Sequence, residues 1–195
     1  MRTKALVLGF LVIGALSVGW RSAAAGGDDD DNGADRLRIA RGFAIAPVPL
    51  DLHRKTRSLV GLGSYLVNAG GGCNDCHTNP AYTHNGNPFK GAAKQVNQAH
   101  YLAGGAQFGP FRSRNLTDVT DEHSFDEFLQ IMRHGKDFDN AHPQISPLLQ
   151  VMPWPVYQDL TTRDLRAIYE YLGAIPDALP CAVVGPDASD PTCVP

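Results

Sequence analysis

The sequence predicts an all-α domain whose helices are separated by unusually long irregular segments. Three observations carry that expectation. Two stretches open on helix-capping patterns and continue with apolar residues at helical spacing. A third apolar-periodic stretch runs into consecutive glycines, and no run of clear two-residue alternation argues for a strand.

The elements follow in chain order. Arg2 and Lys4 precede an apolar run over 5–18, and Ala23, Ala24 and Ala25 supply a small-residue cleavage site, so residues 1–25 read as a secretory signal peptide. That run is shorter than the roughly 20 residues a membrane-spanning helix needs. Residues 26–36, "GGDDDDNGADR", are Gly- and Asp-rich and are expected to form a disordered leader. Residues 37–55 carry Pro47 and Pro49 and are expected to be an extended arm along the core. In "TRSLVGLGSYLVNAGGGC", Leu59, Leu62, Leu66 and Ala69 mark a helix that stops at the glycines before Cys73.

Residues 78–123 are rich in Asn, Gly, Pro and Thr, a loop long enough to be functional or wrapped around something. Ser124 and Glu127 then form a capping box ahead of Phe125, Phe128, Leu129 and Met132. Thr161 and Asp164 open a last helix whose buried face is Leu165, Ile168, Tyr169 and Leu172, with Pro176 as its stop.

The formal charge is −3 and becomes −6 once Arg2, Lys4 and Arg21 leave with the signal peptide, 14 basic against 20 acidic residues. That balance argues against nucleic acid as a partner. After cleavage no remaining segment is long enough to span a bilayer, so membrane association would have to come through a partner. Four cysteines in an exported chain invite a disulfide reading, but they form two unlike pairs, Cys73/Cys76 and Cys181/Cys193.

The first pair sits in "AGGGCNDCHTNP". Structural zinc commonly needs a second close pair of Cys or His ligands, which the sequence does not offer. A thiol-exchange motif normally sits on a strand-to-helix turn in a βαβ setting, and no strands are expected. In Cys-x-x-Cys-His, by contrast, the thiols bond the haem vinyl groups and the adjacent imidazole becomes the proximal iron ligand. Cys73, Cys76 and His77 therefore point to one covalent haem c. Gly70, Gly71 and Gly72 would let backbone approach the porphyrin edge, and the long loop would wrap it.

For the second axial position the candidates are Met132, Met152 and the histidines at 53, 84, 100, 123, 134 and 142. Met152 stands out because Pro147, Pro153 and Pro155 frame it in a rigid non-helical loop. Met132 lies on an apolar helix face where core packing explains it. The histidines have no partner at ligand spacing and read as surface or supporting residues.

The segments "YLVNAGGGCNDCHT", "NPFKG", "RNLT", "EFLQIMRHGKD" and "MPWPVYQDLTTRDLRAIYEYLGAIP" resemble class I c-type cytochromes of the bacterial periplasm, including cytochrome subunits that accept electrons from dehydrogenases. The resemblance implies a cytochrome c fold over 56–180, with Cys73 and Cys76 for attachment, His77 as proximal ligand and Met152 as distal ligand. It also implies that Pro88 offers its carbonyl to the second nitrogen of His77. The helices containing Tyr65 and Tyr169 would cross. Arg112, Arg114, Trp154 and Tyr157 would flank the haem as donors to its propionates.

Two features depart from that pattern. His77 and Met152 are 75 positions apart, so the middle loop is this chain's own. The tail, 181–195, lies outside the core pattern, and its Cys181 and Cys193 are expected to form a stapling disulfide. The function implied is periplasmic electron transfer with redox protein partners, on the dehydrogenase or terminal-oxidase side, and not catalysis. A haem enzyme or gas sensor with a labile distal ligand is the main alternative, with His134 or Arg112 as distal groups. A haem-free thiol oxidoreductase is the third.

Overall fold

The computed structural model describes residues 27–138 and 146–195, and the expected signal peptide and His142 lie outside these. The fold is mainly helical with little strand. Among the described residues no helix is long and apolar enough to cross a membrane.

Three helices form the scaffold: α1 (Gly27–Ile45), α2 (Arg57–Tyr65) and α6 (Thr162–Leu172). The sequence Gly61-Leu62-Gly63 lets α2 sit between the other two. A Cβ on Gly61 would fall 2.6 Å from the Phe43 ring and 2.7 Å from the Ile39 side chain of α1. A Cβ on Gly63 would fall 1.9 Å from the Ala167 carbonyl oxygen of α6. The glycines therefore face two different helices at van der Waals distance, while Val60 and Leu62 are fully buried between them. Ser64 adds a buried hydrogen bond, its hydroxyl donating to the Gly42 carbonyl at 2.7 Å.

Helix α1 corrects the expected disordered leader and extended arm over 27–45. From Arg36 the chain holds good helix formers and no proline before 47, and Ile39 and Phe43 find their burial only against α2. Arg57 lies 4.5 Å over the Phe43 ring and Arg163 pairs with Asp35 at 2.6 Å, tying the helix to α2 and α6. The extended arm begins only after Ile45, where Pro47 and Pro49 exclude helix, and its Asp51 N–H donates to Ala174 O.

Helix α2 passes through a π-helical turn, Leu66–Gly70, into the short α3 (Cys73–His77). The loop that follows contains a two-residue hairpin, β1 (Gln107–Phe108) and β2 (Phe111–Arg112), with Gln107 opposite Arg112. This sheet was not expected; strands so short leave no alternation to read. Next come α4 (Val119–Glu122) and α5 (Phe125–His134), the latter with the full Ser124/Glu127 capping box. Thr161 caps α6 by accepting from Asp164 N–H.

A buried polar cluster ties the loop to the scaffold. Tyr101 O–H donates to Asn68 Oδ1 at 2.6 Å, and the Asn68 amide reaches Tyr171 Oη and the Ser64 carbonyl. Burial raises the proton affinity of both phenols, so each stays a neutral donor. The tail folds back over the loop: Cys181 and Cys193 stand at disulfide distance, with Cα atoms 5.9 Å apart. Asn97 donates to Thr192 O, and His100 Nδ1 donates to Leu179 O.

The Gly63 contact meets backbone, which cannot swing aside. Gly63→Ala should destabilise the folded protein by about 3 kcal/mol, the upper part of the range for overpacked cores. Thermal unfolding of the variant beside the wild-type protein checks this, and an unchanged midpoint would show that α2 and α6 can separate at little cost.

Candidate functional site

Cys73, Cys76 and His77 occupy a single turn of helix, so one short element delivers all three. They open onto a cavity of about 1240 Å³, larger than the roughly 300–1,000 Å³ of ordinary small-molecule pockets. Its back wall is Leu66, Val67, Ile168 and Leu172 from the scaffold, and its sides come from the 107–119 loop and the 146–160 segment. Gly70, Gly71 and Gly72 line it beside the cysteines, with open space where Cβ atoms of Gly70 and Gly72 would stand.

The two thiols are not bonded to each other. Burial pushes Cys73 up to about 11, and Cys76 is also raised by burial and the nearby Asp75 carboxylate. A thiol-exchange nucleophile needs the opposite shift, toward thiolate near neutral pH. The buried surroundings of this pair thus favour the protonated thiols over the thiolate that exchange requires.

His77 is held at two points. Its carbonyl accepts from Gly104 N–H at 2.7 Å, and its Nδ1 lies 2.9 Å from Arg114 O. A carbonyl can only accept, so Nδ1 carries the proton and Nε2 keeps its lone pair. Burial also holds the imidazole below its usual range, favouring the neutral form that binds metals. Gly104 makes the contact possible: its φ is +78°, and a Cβ there would lie 2.5 Å from the Arg114 carbonyl atoms.

This corrects the expected role of Pro88. That residue instead starts a 3₁₀ turn, Pro88–Lys90, and Arg114 O takes the hydrogen bond assigned to it. The side chains expected to meet propionates also divide. Arg112 lines the cavity on β2. Arg114 and Tyr157 line it too, but each also has a protein partner: Arg114 Nη2 pairs with Asp137 Oδ1 at 2.6 Å, and Tyr157 O–H donates to Gly71 O at 2.6 Å. Trp154 is not among the lining residues, because its indole packs on Gly135, where a Cβ would fall 2.3 Å from Nε1.

Met152 lines the cavity and packs against the core. Met132 and His123 line it too, both buried. His123, expected to be a surface or supporting residue, is turned inward by helix α4, ending at Glu122, next to Phe138. Among the described histidines, 53, 84, 100 and 134 do not line the cavity. Sequence reasoning also missed Gly104 and Asp137. The glycine pair at 104–105 was the only available signal for the first, and Asp137 had none.

The donor set fits a covalent haem: two thiols two residues apart, a neutral imidazole with its metal-binding nitrogen free of a proton, a thioether, and a large apolar chamber. No family model matches the chain. It is 31% identical over 120 residues to the gluconate 2-dehydrogenase cytochrome c subunit of Pantoea cypripedii, an alignment covering 58% of this chain. The aligned part is 22% of that relative, so the chain spans about a fifth of its length. No solved structure matches.

Tyr157 joins the Met152 segment to the turn before Cys73. Tyr157→Phe leaves the Gly71 carbonyl without this donor and should cost about 1 kcal/mol in denaturant unfolding of the haem-loaded protein. An unchanged midpoint would show that the tie is energetically inert.

Proposed function

We propose that this chain is an exported monohaem electron-transfer cytochrome c that serves in the periplasm and accepts electrons from a dehydrogenase. The observation that carries the reading is the placement of Cys73, Cys76 and His77 on one helical turn facing a large apolar cavity. The name of the relative adds independent support, since that protein is a dehydrogenase's cytochrome c subunit.

In this reading Cys73 and Cys76 form the thioethers and His77 Nε2 is the proximal ligand. When bound, the haem supplies a one-electron iron centre. The chain's part is to hold the axial ligands still. The Arg114 carbonyl orients and strengthens the imidazole. Met152 is the distal ligand in preference to Met132, because Met132 belongs to the packed face of α5 with Phe128, whereas Met152 is presented by a proline-framed loop. A sulfur ligand raises the potential relative to a second nitrogen, suiting an acceptor. Arg112 is the side chain placed to meet a propionate. The Cys181–Cys193 disulfide staples the tail over the 78–105 loop.

The buried His123 on the same cavity supports a second reading, a haem enzyme or gas sensor with an open or labile distal position. The two readings separate on one experiment. The ferrous protein matured in the periplasm should stain for covalent haem and keep its spectrum under carbon monoxide, while Met152→Ala should bind the gas. A wild-type spectrum that shifts readily would favour the sensor reading, and absence of covalent haem would sink both.

The acidic net charge of the mature chain implies a basic docking surface on the donor. Reduction by the native donor should therefore slow as ionic strength rises through the range where the Debye length falls to about 8 Å. A rate indifferent to salt would refute electrostatic docking.

A further inference from the structure

Arg114 contributes to the site twice. Its carbonyl takes the Nδ1 proton of His77, while its guanidinium reaches across the cavity wall to Asp137 at 2.6 Å. Both side chains are shielded, Arg114 at 22% exposure and Asp137 at 5%, so the pair is far less screened than a surface ion pair.

Asp137 follows the end of α5 and belongs to the segment that holds the Met152 loop. Its N–H donates to Pro147 O, Leu149 N–H donates to Gly135 O, and Lys136 bridges Leu148 in antiparallel register. Trp154, two residues beyond Met152, packs on Gly135 from the other side. One residue thus touches the histidine directly and grips, through one carboxylate, the short ladder leading to the methionine.

We propose that Arg114 and Asp137 form a positioning pair that couples the two axial sides of the cavity, the Arg114 carbonyl setting the imidazole and the Arg114–Asp137 ion pair holding the Met152 loop against the same wall. This rests on the ligand assignment proposed above. It also gives Nη2 of the cavity-lining Arg114 a partner within the protein. Loosening the pair would let the loop open, and the fraction of molecules with an exposed distal position would rise without loss of His77 or of the thioethers. An external ligand's apparent affinity scales with that fraction.

The test uses haem-loaded protein from periplasmic expression: wild type, Asp137→Asn, Arg114→Lys and Met152→Ala. Each ferrous form is titrated with carbon monoxide, and each ferric form is recorded for its thioether-to-iron charge-transfer absorption, with far-ultraviolet circular dichroism alongside. The expected result is a roughly tenfold rise in carbon monoxide affinity for Asp137→Asn. Its charge-transfer band should weaken while helical signal and covalent haem content stay at wild-type levels. Arg114→Lys keeps the charge and the backbone carbonyl but loses the planar fork, and should move both readouts the same way by less. If Asp137→Asn gives no haem-loaded protein, Arg114→Lys decides on the same two readouts.

Coupling is overturned if the variant's titration and charge-transfer band overlay the wild type, even with a lower unfolding midpoint, since a merely structural pair would change only that midpoint. A wild type that binds the gas as readily as Met152→Ala overturns the ligand assignment and the coupling together. A resistant wild type beside a resistant Asp137→Asn overturns the coupling alone.

Discussion

The hydrogen bond from His77 Nδ1 to the Arg114 carbonyl is the constraint on which the rest of the site depends. It fixes which imidazole nitrogen carries the proton and therefore which one is free to bind a metal. It also demands a path for the chain. The loop must return 37 residues after the histidine with a carbonyl aimed inward, and Gly104 must pass between them without a side chain. Leu102 N–H on Thr78 Oγ1, Gly104 N–H on His77 O and Leu116 N–H on Leu102 O then stitch three separate segments into one wall. A loop whose regular elements are as short as β1 and β2 is ordered by its hydrogen bonds to the residues around the proposed haem ligand.

Behind that wall stands a scaffold whose closeness is set by three small residues. Gly42 and Gly61 bring α1 onto α2, and Gly63 brings α2 onto α6. Val60 and Leu62 fill the space between the close-packed helices, while Leu66, Val67, Ile168 and Leu172 from the same scaffold line the cavity. The same glycines that tighten the scaffold thereby supply the chamber with its apolar floor.

The legible parts of this architecture were those encoded locally. The capping residues of α5 and α6 stand where Ser124 and Thr161 marked them, because a cap is a contact between residues three apart. Cys73, Cys76 and His77 share one helical turn for the same reason, since they lie within five consecutive residues. The misread parts depend on distant partners. α1 is helical beyond what its own composition suggests because Ile39 and Phe43 bury against α2. Pro88 yields to Arg114 because a backbone carbonyl carries no residue signature, and any residue type can supply one. Trp154 was misplaced for a related reason: which way a side chain turns is decided by neighbours such as Gly135, not by its proximity in sequence to a ligand.

The two sides of the cavity are built by different means, and the difference bears on electron transfer. The His77 side is a helical turn locked by backbone hydrogen bonds, whereas the Met152 side is a proline-framed loop attached to α5 at Gly135 and Asp137 and to the cysteine turn through Tyr157. With Met152 as the proposed ligand, a loop alone would let a weak thioether leave, and a change of coordination with each electron would slow the proposed transfer by requiring the protein to reorganise. The ties converge on that loop from the end of α5, from the turn before Cys73 and from the 107–119 wall, so the loss of one loosens the loop without freeing it. Rigidity that a helix would supply through its own ladder is here assembled from contacts between segments far apart in sequence, and it resides in residues outside the proposed ligand set.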